Sequence, residues 1–290
     1  MRLNMKILWK LLLLVVIIAQ YSCEDTSNSR YIEDYIVEAL IVVDEPIEGI
    51  TVMKSQPLDL PFNYDSAMVR DAVVRIEGDG HDFLLEYRNR EDGEIGYYFP
   101  DTTYKIKPET EYRLEVTLSN GRFISGKTFT PNRSSWVYYP ENKFIRFPID
   151  SINQPSNDSI VWTKVSGFEF YLISITNLDT LNYGIYLEPP TNEPNRRVYR
   201  PFGSPNAFRD VSTMFPLPTD RTPIVWNAFR WFGKHELKVY VPDWNFLRWF
   251  LQAQTRGEAD PILTSLEGGI GYFGSASVIT YDFFLLKNQP

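Results

Sequence analysis

Short apolar runs separated by polar turn chemistry recur along most of the chain, and their spacing predicts strands rather than helices. Tyr35–Val43 (YIVEALIVV) is rich in β-branched residues, Asp44-Glu45-Pro46 and Glu48-Gly49 supply a turn, and Ile50–Gln56 is the return strand of a hairpin. Leu58–Asp65 contains two prolines and an asparagine and reads as an ordered loop. Ala72–Glu77 alternates apolar and polar positions, Gly78-Asp79-Gly80 turns the chain, and Phe83–Tyr87 returns. Tyr97–Phe99, Tyr112–Leu118 and Arg122–Thr130 complete the set, the last two joined by a tight Asn120-Gly121 turn. About seven short strands at intervals of about ten residues, with no helical periodicity between them, predict an immunoglobulin-like or transthyretin-like β-sandwich over residues 35–131.

A larger β-rich domain with one short helix is expected over residues 132–290, which makes the whole fold mainly β. Lys143–Ile149, Ile160–Val165, Phe168–Thr176, Tyr183–Leu187 and His235–Val241 read as strands, and Glu188–Pro223 as a long, proline-rich surface connection. Asp243 is a suitable N-cap for a helix over Trp244–Gln254. Trp244, Leu247 and Leu251 line up at helical spacing, with Phe246, Trp249 and Phe250 beside them. Together with Trp226, Phe229, Trp231 and Phe232 they form the densest group of aromatics in the chain. Such rings either cap an open end of the β structure as core or stay exposed to stack on a ligand or partner. On the second reading Trp226, Trp231, Trp244 and Trp249 are the candidate contact residues.

An apolar run of another kind opens the chain. Arg2, Lys6 and Lys10 precede the uncharged stretch Leu11–Ala19, which is about half the roughly 20 residues a membrane span needs. Residues 1–22 therefore read as a secretory signal, and the single cysteine, Cys23, follows directly. A lone Cys there resembles a bacterial lipoprotein box, in which the Cys is acylated. Ser22 matches that pattern, whereas Gln20 and Tyr21 depart from it. Two or more acyl chains give stable attachment where one is marginal, so Cys23 is expected to hold the protein on an outer membrane. Residues 23–34 are a polar tether, and its Glu24-Asp25 pair resembles the signal that sends such lipoproteins to the outer face.

Charge and chemistry narrow the function classes. The leader carries three cations, so the formal charge of −8 becomes −11 beyond it, a poor surface for nucleic acid. Gly269-Ile270-Gly271-Tyr272-Phe273-Gly274 spells the G-x-G-x-x-G of dinucleotide sites, but that motif needs a strand leading in and a helix leading out. Here a helix lies upstream and the β-rich run Ser277–Leu286 follows, so the glycines are read as permitting a bend or a close backbone approach in a terminal strand, and no nucleotide is expected. His81 and His235 are the two histidines, neither beside a nucleophile at motif spacing, and no G-x-S-x-G or H-E-x-x-H occurs. Asp79 and Asp82 read as a solvated turn rather than a calcium site. No cofactor, metal or catalytic residue is assigned. The competing classes are a surface glycan- or peptide-active enzyme using carboxylates such as Glu91-Asp92, and a structural or adhesive surface protein.

Several of these segments together resemble a known family. The opening pair Tyr35–Val43 and Ile50–Gln56, the strand Ala72-Val73-Val74-Arg75-Ile76, Gly96-Tyr97-Tyr98, Tyr112–Leu118 with Asn120-Gly121, and Ser265–Gly274 (SLEGGIGYFG) are similar to a Bacteroidota family of outer-membrane lipoproteins, the 4249 family of domains of unknown function. The resemblance covers most of the chain beyond the leader and rests on turn and strand signatures. It implies an accessory role at the cell surface in nutrient capture or uptake, beside a TonB-dependent transporter; with no catalytic motif in the residues, the chain is read as a non-enzymatic binding component.

Overall fold

The computed structural model describes residues 31–57, 61–89, 95–140, 143–148, 159–198, 211–254 and 263–287. The predicted leader (1–22), Cys23, most of the tether and Glu91-Asp92 lie outside the described residues.

The opening hairpin forms as expected. β1 (Tyr35–Val42) runs antiparallel to β2 (Thr51–Lys54) with Tyr35 opposite Lys54. Asp44 and Gly49 both take left-handed backbone angles in the connection, as their turn chemistry predicts. Asn63 then caps a single helical turn, Tyr64–Ala67, through Oδ1, which accepts from the Ser66 N–H at 3.0 Å. Next come β3 (Val73–Gly78), β4 (His81–Asn89), β5 (Ile95–Tyr98), β6 (Glu111–Thr117) and β7 (Phe123–Phe129). The β6–β7 turn contains Gly121 at φ +81°. Along these strands Val74, Ile76, Leu114 and Val116 point inward and polar neighbours point out, the two-residue period of a half-buried sheet.

The second half supplies β8 (Trp136–Tyr138), β9 (Phe144–Arg146), β10 (Ser159–Trp162), β11 (Tyr171–Asn177), β12 (Ser212–Leu217), β13 (Arg221–Pro223) and β14 (Gly233–Pro242). Helix α1 (Trp244–Gln254), β15 (Leu266–Glu267) and the 17-residue β16 (Ile270–Leu286) finish the chain. Tyr183–Leu187, expected as a strand, contains instead a 3-10 turn at Gly184–Tyr186. The predicted surface connection Glu188–Pro223 contains two strands, β12 and β13. β12 lies at a sheet edge, where Pro216 removes no ladder hydrogen bond that a further strand would need, so a strand can form in this proline-rich stretch.

Among the described residues three sheets result: β12-β11-β14-β16-β1-β2 with β9 also on β16, then β15-β7-β6-β3-β4-β5, and the small β13-β10-β8. The fold is mainly β, with several sheets and one short helix. β16 joins the two halves of the chain. Its first residues run parallel to β1, from Ile270 opposite Ile36 to Ala276 opposite Val42, and the rest runs antiparallel to β14. Gly271 makes the first pairing possible: its φ is +119°, and a Cβ there would lie 2.0 Å from the Val37 carbonyl oxygen. The glycine segment thus serves close backbone approach.

Among the described residues this arrangement builds two large cores and two small clusters. One gathers Val37, Ala39, Val74, Ile76, Tyr112 and Leu114 between the first two sheets and also takes Leu266 and Phe273 from the far end of the chain. The other gathers Trp162, Ile173, Phe229, Val239, Phe283 and Leu285. Most residues of the first core precede position 131 and those of the second follow it, with Leu266 and Phe273 crossing over to the first. Asp34–Pro290 is one compact unit because β1 is hydrogen-bonded into the sheet built by the second half. Among the described residues no helix is long and apolar enough to cross a membrane.

Candidate functional site

The four candidate tryptophans do not form one site. Trp226 is 8% exposed and packs edge-on against Phe147, ring centroids 5.7 Å apart, so it is core. Trp231 is half-buried under the Arg197 guanidinium, which lies 4.7 Å from its ring centroid, and its Nε1 lacks a hydrogen-bond partner among the described residues. Trp249 fastens α1 to the sheet: its ring rests on Tyr272 at 5.8 Å, and Nε1 donates to Glu38 Oε1 at 3.3 Å. Only Trp244 stands out into solvent, at 61% exposure. The stripe expected from Trp244, Leu247 and Leu251 is therefore not the buried face. Phe246 and Leu247 are buried, Phe246 stacking on Tyr272 at 5.6 Å, while Trp244 and Leu251 are exposed.

Trp244 borders a groove of about 580 Å³. Its walls are Lys127–Phe129 of β7 with Glu111 of β6, the loop Gly167–Phe170 before β11, and the β14–α1 junction Pro242–Asn245. Phe129 and Phe170 are 52% and 37% exposed. Phe129 occupies an outward position of β7, and Phe168-Glu169-Phe170 follows the left-handed Gly167, so the chain displays these rings before entering β11. Asn245 ties the junction to two strands, its side-chain amide donating to the Lys127 and Phe273 carbonyls at 2.8 Å each.

Asp243 holds the groove wall together. It caps α1 as predicted, Oδ1 accepting from the Phe246 N–H at 2.9 Å, and its own N–H donates to the Ser275 carbonyl at 2.8 Å. Thr128 Oγ1 lies 2.7 Å from Asp243 Oδ2 and 2.8 Å from Ser275 Oγ, and Ser275 Oγ is 3.1 Å from the Phe129 carbonyl. Each hydroxyl carries one hydrogen. With Asp243 ionised, the two hydroxyls can serve only two of the three contacts; a proton on the carboxyl supplies the third. Burial acts in the same direction and raises the Asp243 pKa against the lowering effect of the Phe246 and Thr128 hydrogen bonds.

Other polar candidates stand elsewhere. His235 is buried, stacked on Phe283 and edge-on to Phe229, and burial lowers its pKa to about 4. His81 Nδ1 lies 2.7 Å from the Asp79 carbonyl on the β3–β4 hairpin, and Asp82 accepts from Arg75 at 2.6 Å. Neither histidine lines the groove. Among the described residues no three His, Cys, Asp or Glu side chains gather into a group that could hold a metal ion.

Of the residues lining the groove, the sequence singles out Trp244 and the cap Asp243 but not Phe129, Phe170, Glu111, Lys127 or Glu169. The local signal is the Gly167-Phe168-Glu169-Phe170 alternation, which reads as the start of a strand. What brings it beside β7 is tertiary. No curated protein matches the chain. A family model described as a domain of unknown function (DUF4249) matches residues 25–282, nearly the whole described length, and the chain belongs to that family.

Proposed function

We propose that the chain is a non-enzymatic binding component, held on the outer face of a bacterial outer membrane by acylated Cys23 and working beside a TonB-dependent transporter. The observation that carries the reading is the groove at the start of α1. Trp244 is 61% exposed there while Phe246 and Leu247 of the same helix are buried, and an exposed Trp beside two more exposed rings is a contact surface rather than a packing element. The anchor rests on the leader and the lone Cys23, and the matched domain begins at residue 25, which leaves Cys23 outside it. Tethering then keeps the groove at high local concentration near a membrane partner. Binding rather than turnover is supported by the groove's polar groups: both Asp243 oxygens are taken by Phe246 and Thr128, and Glu111 is held by Arg113.

A second reading, a surface glycan-active enzyme, is favoured by the presence of Glu111, Glu169 and Asp243 in one aromatic groove. Crosslinked co-purification of the tagged chain from its native membranes, beside Cys23→Ala, tests the proposal. A transporter that comes down with the parent and is lost from the variant supports it. An anchored protein that comes down alone, or oligosaccharide hydrolysis by the purified chain, overturns it.

A further inference from the structure

The charge and the rings of the groove narrow its occupant, on the reading that it is a binding site. Trp244, Phe129 and Phe170 border it, and none stacks on another ring among the described residues, so their faces are open to a ligand. Its charges are balanced. Glu111 is compensated by Arg113, whose Nε and Nη2 donate to Oε1 at 3.0 and 2.9 Å. Lys127 and Glu169 have opposite signs, both are exposed, and neither is in an ion pair among the described residues. Asp243 is buried, with its oxygens engaged by the Phe246 N–H and the Thr128 hydroxyl. A cationic ligand would meet Lys127 and an anionic one Glu111 and Glu169, so the field selects neither. A neutral polyol suits the same groups, since a carboxylate accepts and an ammonium donates to hydroxyls. A gluco-configured pyranose turns axial C–H groups toward an aromatic face and equatorial hydroxyls toward the rim. The groove's volume, about 580 Å³, lies within the roughly 300–1,000 Å³ of ligand clefts.

We propose that this groove binds a neutral, gluco-configured oligosaccharide, with Trp244 as the stacking platform and Glu169 and Lys127 as partners of the sugar hydroxyls. The full chain, purified in detergent, is titrated calorimetrically with cellohexaose, laminarihexaose and maltohexaose, and with hexalysine and hexaglutamate as charged probes. At least one hexasaccharide binds and neither peptide does. Trp244→Ala weakens that binding about tenfold, as loss of an aromatic face should, and Trp244→Phe retains most of it. Because Trp244 is exposed, the melting temperature of both variants stays within about 2 °C of the parent. Failure of all three sugars to bind, binding untouched by Trp244→Ala, or binding of hexalysine or hexaglutamate overturns the proposal. A transporter that co-purifies with a chain blind to all three sugars removes the saccharide and leaves the transporter reading. Saccharide binding by a chain that brings down no transporter does the reverse.

Discussion

Replacing Asp243 separates its two tasks, capping α1 and completing the hydroxyl chain. In Asp243→Ala the Phe246 N–H loses its acceptor at 2.9 Å and Thr128 Oγ1 loses its partner at 2.7 Å, both at buried positions. A lost N-cap costs about 0.5–2 kcal/mol, and a buried polar group left without its partner about 1–3 kcal/mol. Thr128 keeps its contact with Ser275 at 2.8 Å, so the expected total lies near the lower half of that sum, about 2 kcal/mol. Asp243→Asn behaves differently. Its carbonyl still accepts from Phe246, and its amide donates to Thr128 as the protonated carboxyl does, so its cost near neutral pH is below about 1 kcal/mol. Since burial raises the folded pKa of Asp243 above 3.8, the carboxyl favours the folded state most below that value, and this contribution is lost as pH rises through the folded pKa. The asparagine variant has no such loss. Its stability relative to the parent therefore improves as pH rises from about 4 through the folded pKa of Asp243. Urea denaturation followed by tryptophan fluorescence across that range measures both variants. A cost for Asn equal to that for Ala, or a parent–Asn difference independent of pH, would refute the hydrogen count.

Gly271→Ala should cost about 3 kcal/mol or more and reduce soluble yield, because its Cβ would meet the Val37 carbonyl oxygen at 2.0 Å in a backbone conformation at φ +119°; a urea midpoint equal to the parent's would contradict this. Tyr97→Phe removes a hydroxyl that donates to the Val69 carbonyl at 2.9 Å and accepts from the Ala72 N–H at 3.0 Å, at a cost of about 1–3 kcal/mol. Burial raises the Tyr97 pKa to about 12, so its stabilising contribution is full below about pH 10 and is lost as pH rises through about 12; parallel base-denaturation curves for parent and variant would contradict it. Burial lowers the His235 pKa from 6.5 to about 4, so the neutral ring's contribution is full above pH 6.5 and is lost as pH falls toward 4. His235→Phe keeps the stack on Phe283 and should flatten the acid limb, which stability measured between those two pH values checks.

Local chemistry made much of this fold readable. The turn residues Asp44, Gly49 and Asn120-Gly121 lie where the chain turns, and the β1–β2 and β6–β7 hairpins form around them. Asp243 announces α1 through capping chemistry, and the helix runs over the predicted Trp244–Gln254. Pairing between distant segments was not readable. Nothing in Tyr35–Val42 indicates that its partner is Ile270–Ala276, more than 200 residues away, although the glycines of that segment had marked a close backbone approach. The aromatic helix shows the same division. Periodicity aligns Trp244 with Leu247, yet the side of the helix packed on Leu172, Tyr240 and Tyr272 carries Phe246 and Leu247, and the ring at 244 is exposed. A groove made by β7, the 167–170 loop and α1 depends on packing that no single segment encodes.

Site-specific photo-crosslinking in intact cells tests most directly whether the groove is the working surface of an anchored protein. A photoreactive phenylalanine analogue replaces Trp244 in the groove or Leu84 on β4, which is also exposed and lies outside the groove. Adducts are identified by mass spectrometry in parent and Cys23→Ala backgrounds. The account predicts a defined adduct from position 244, none from 84, and loss of the 244 adduct without Cys23. An adduct from 84 with none from 244, or a 244 adduct indifferent to Cys23, would contradict it.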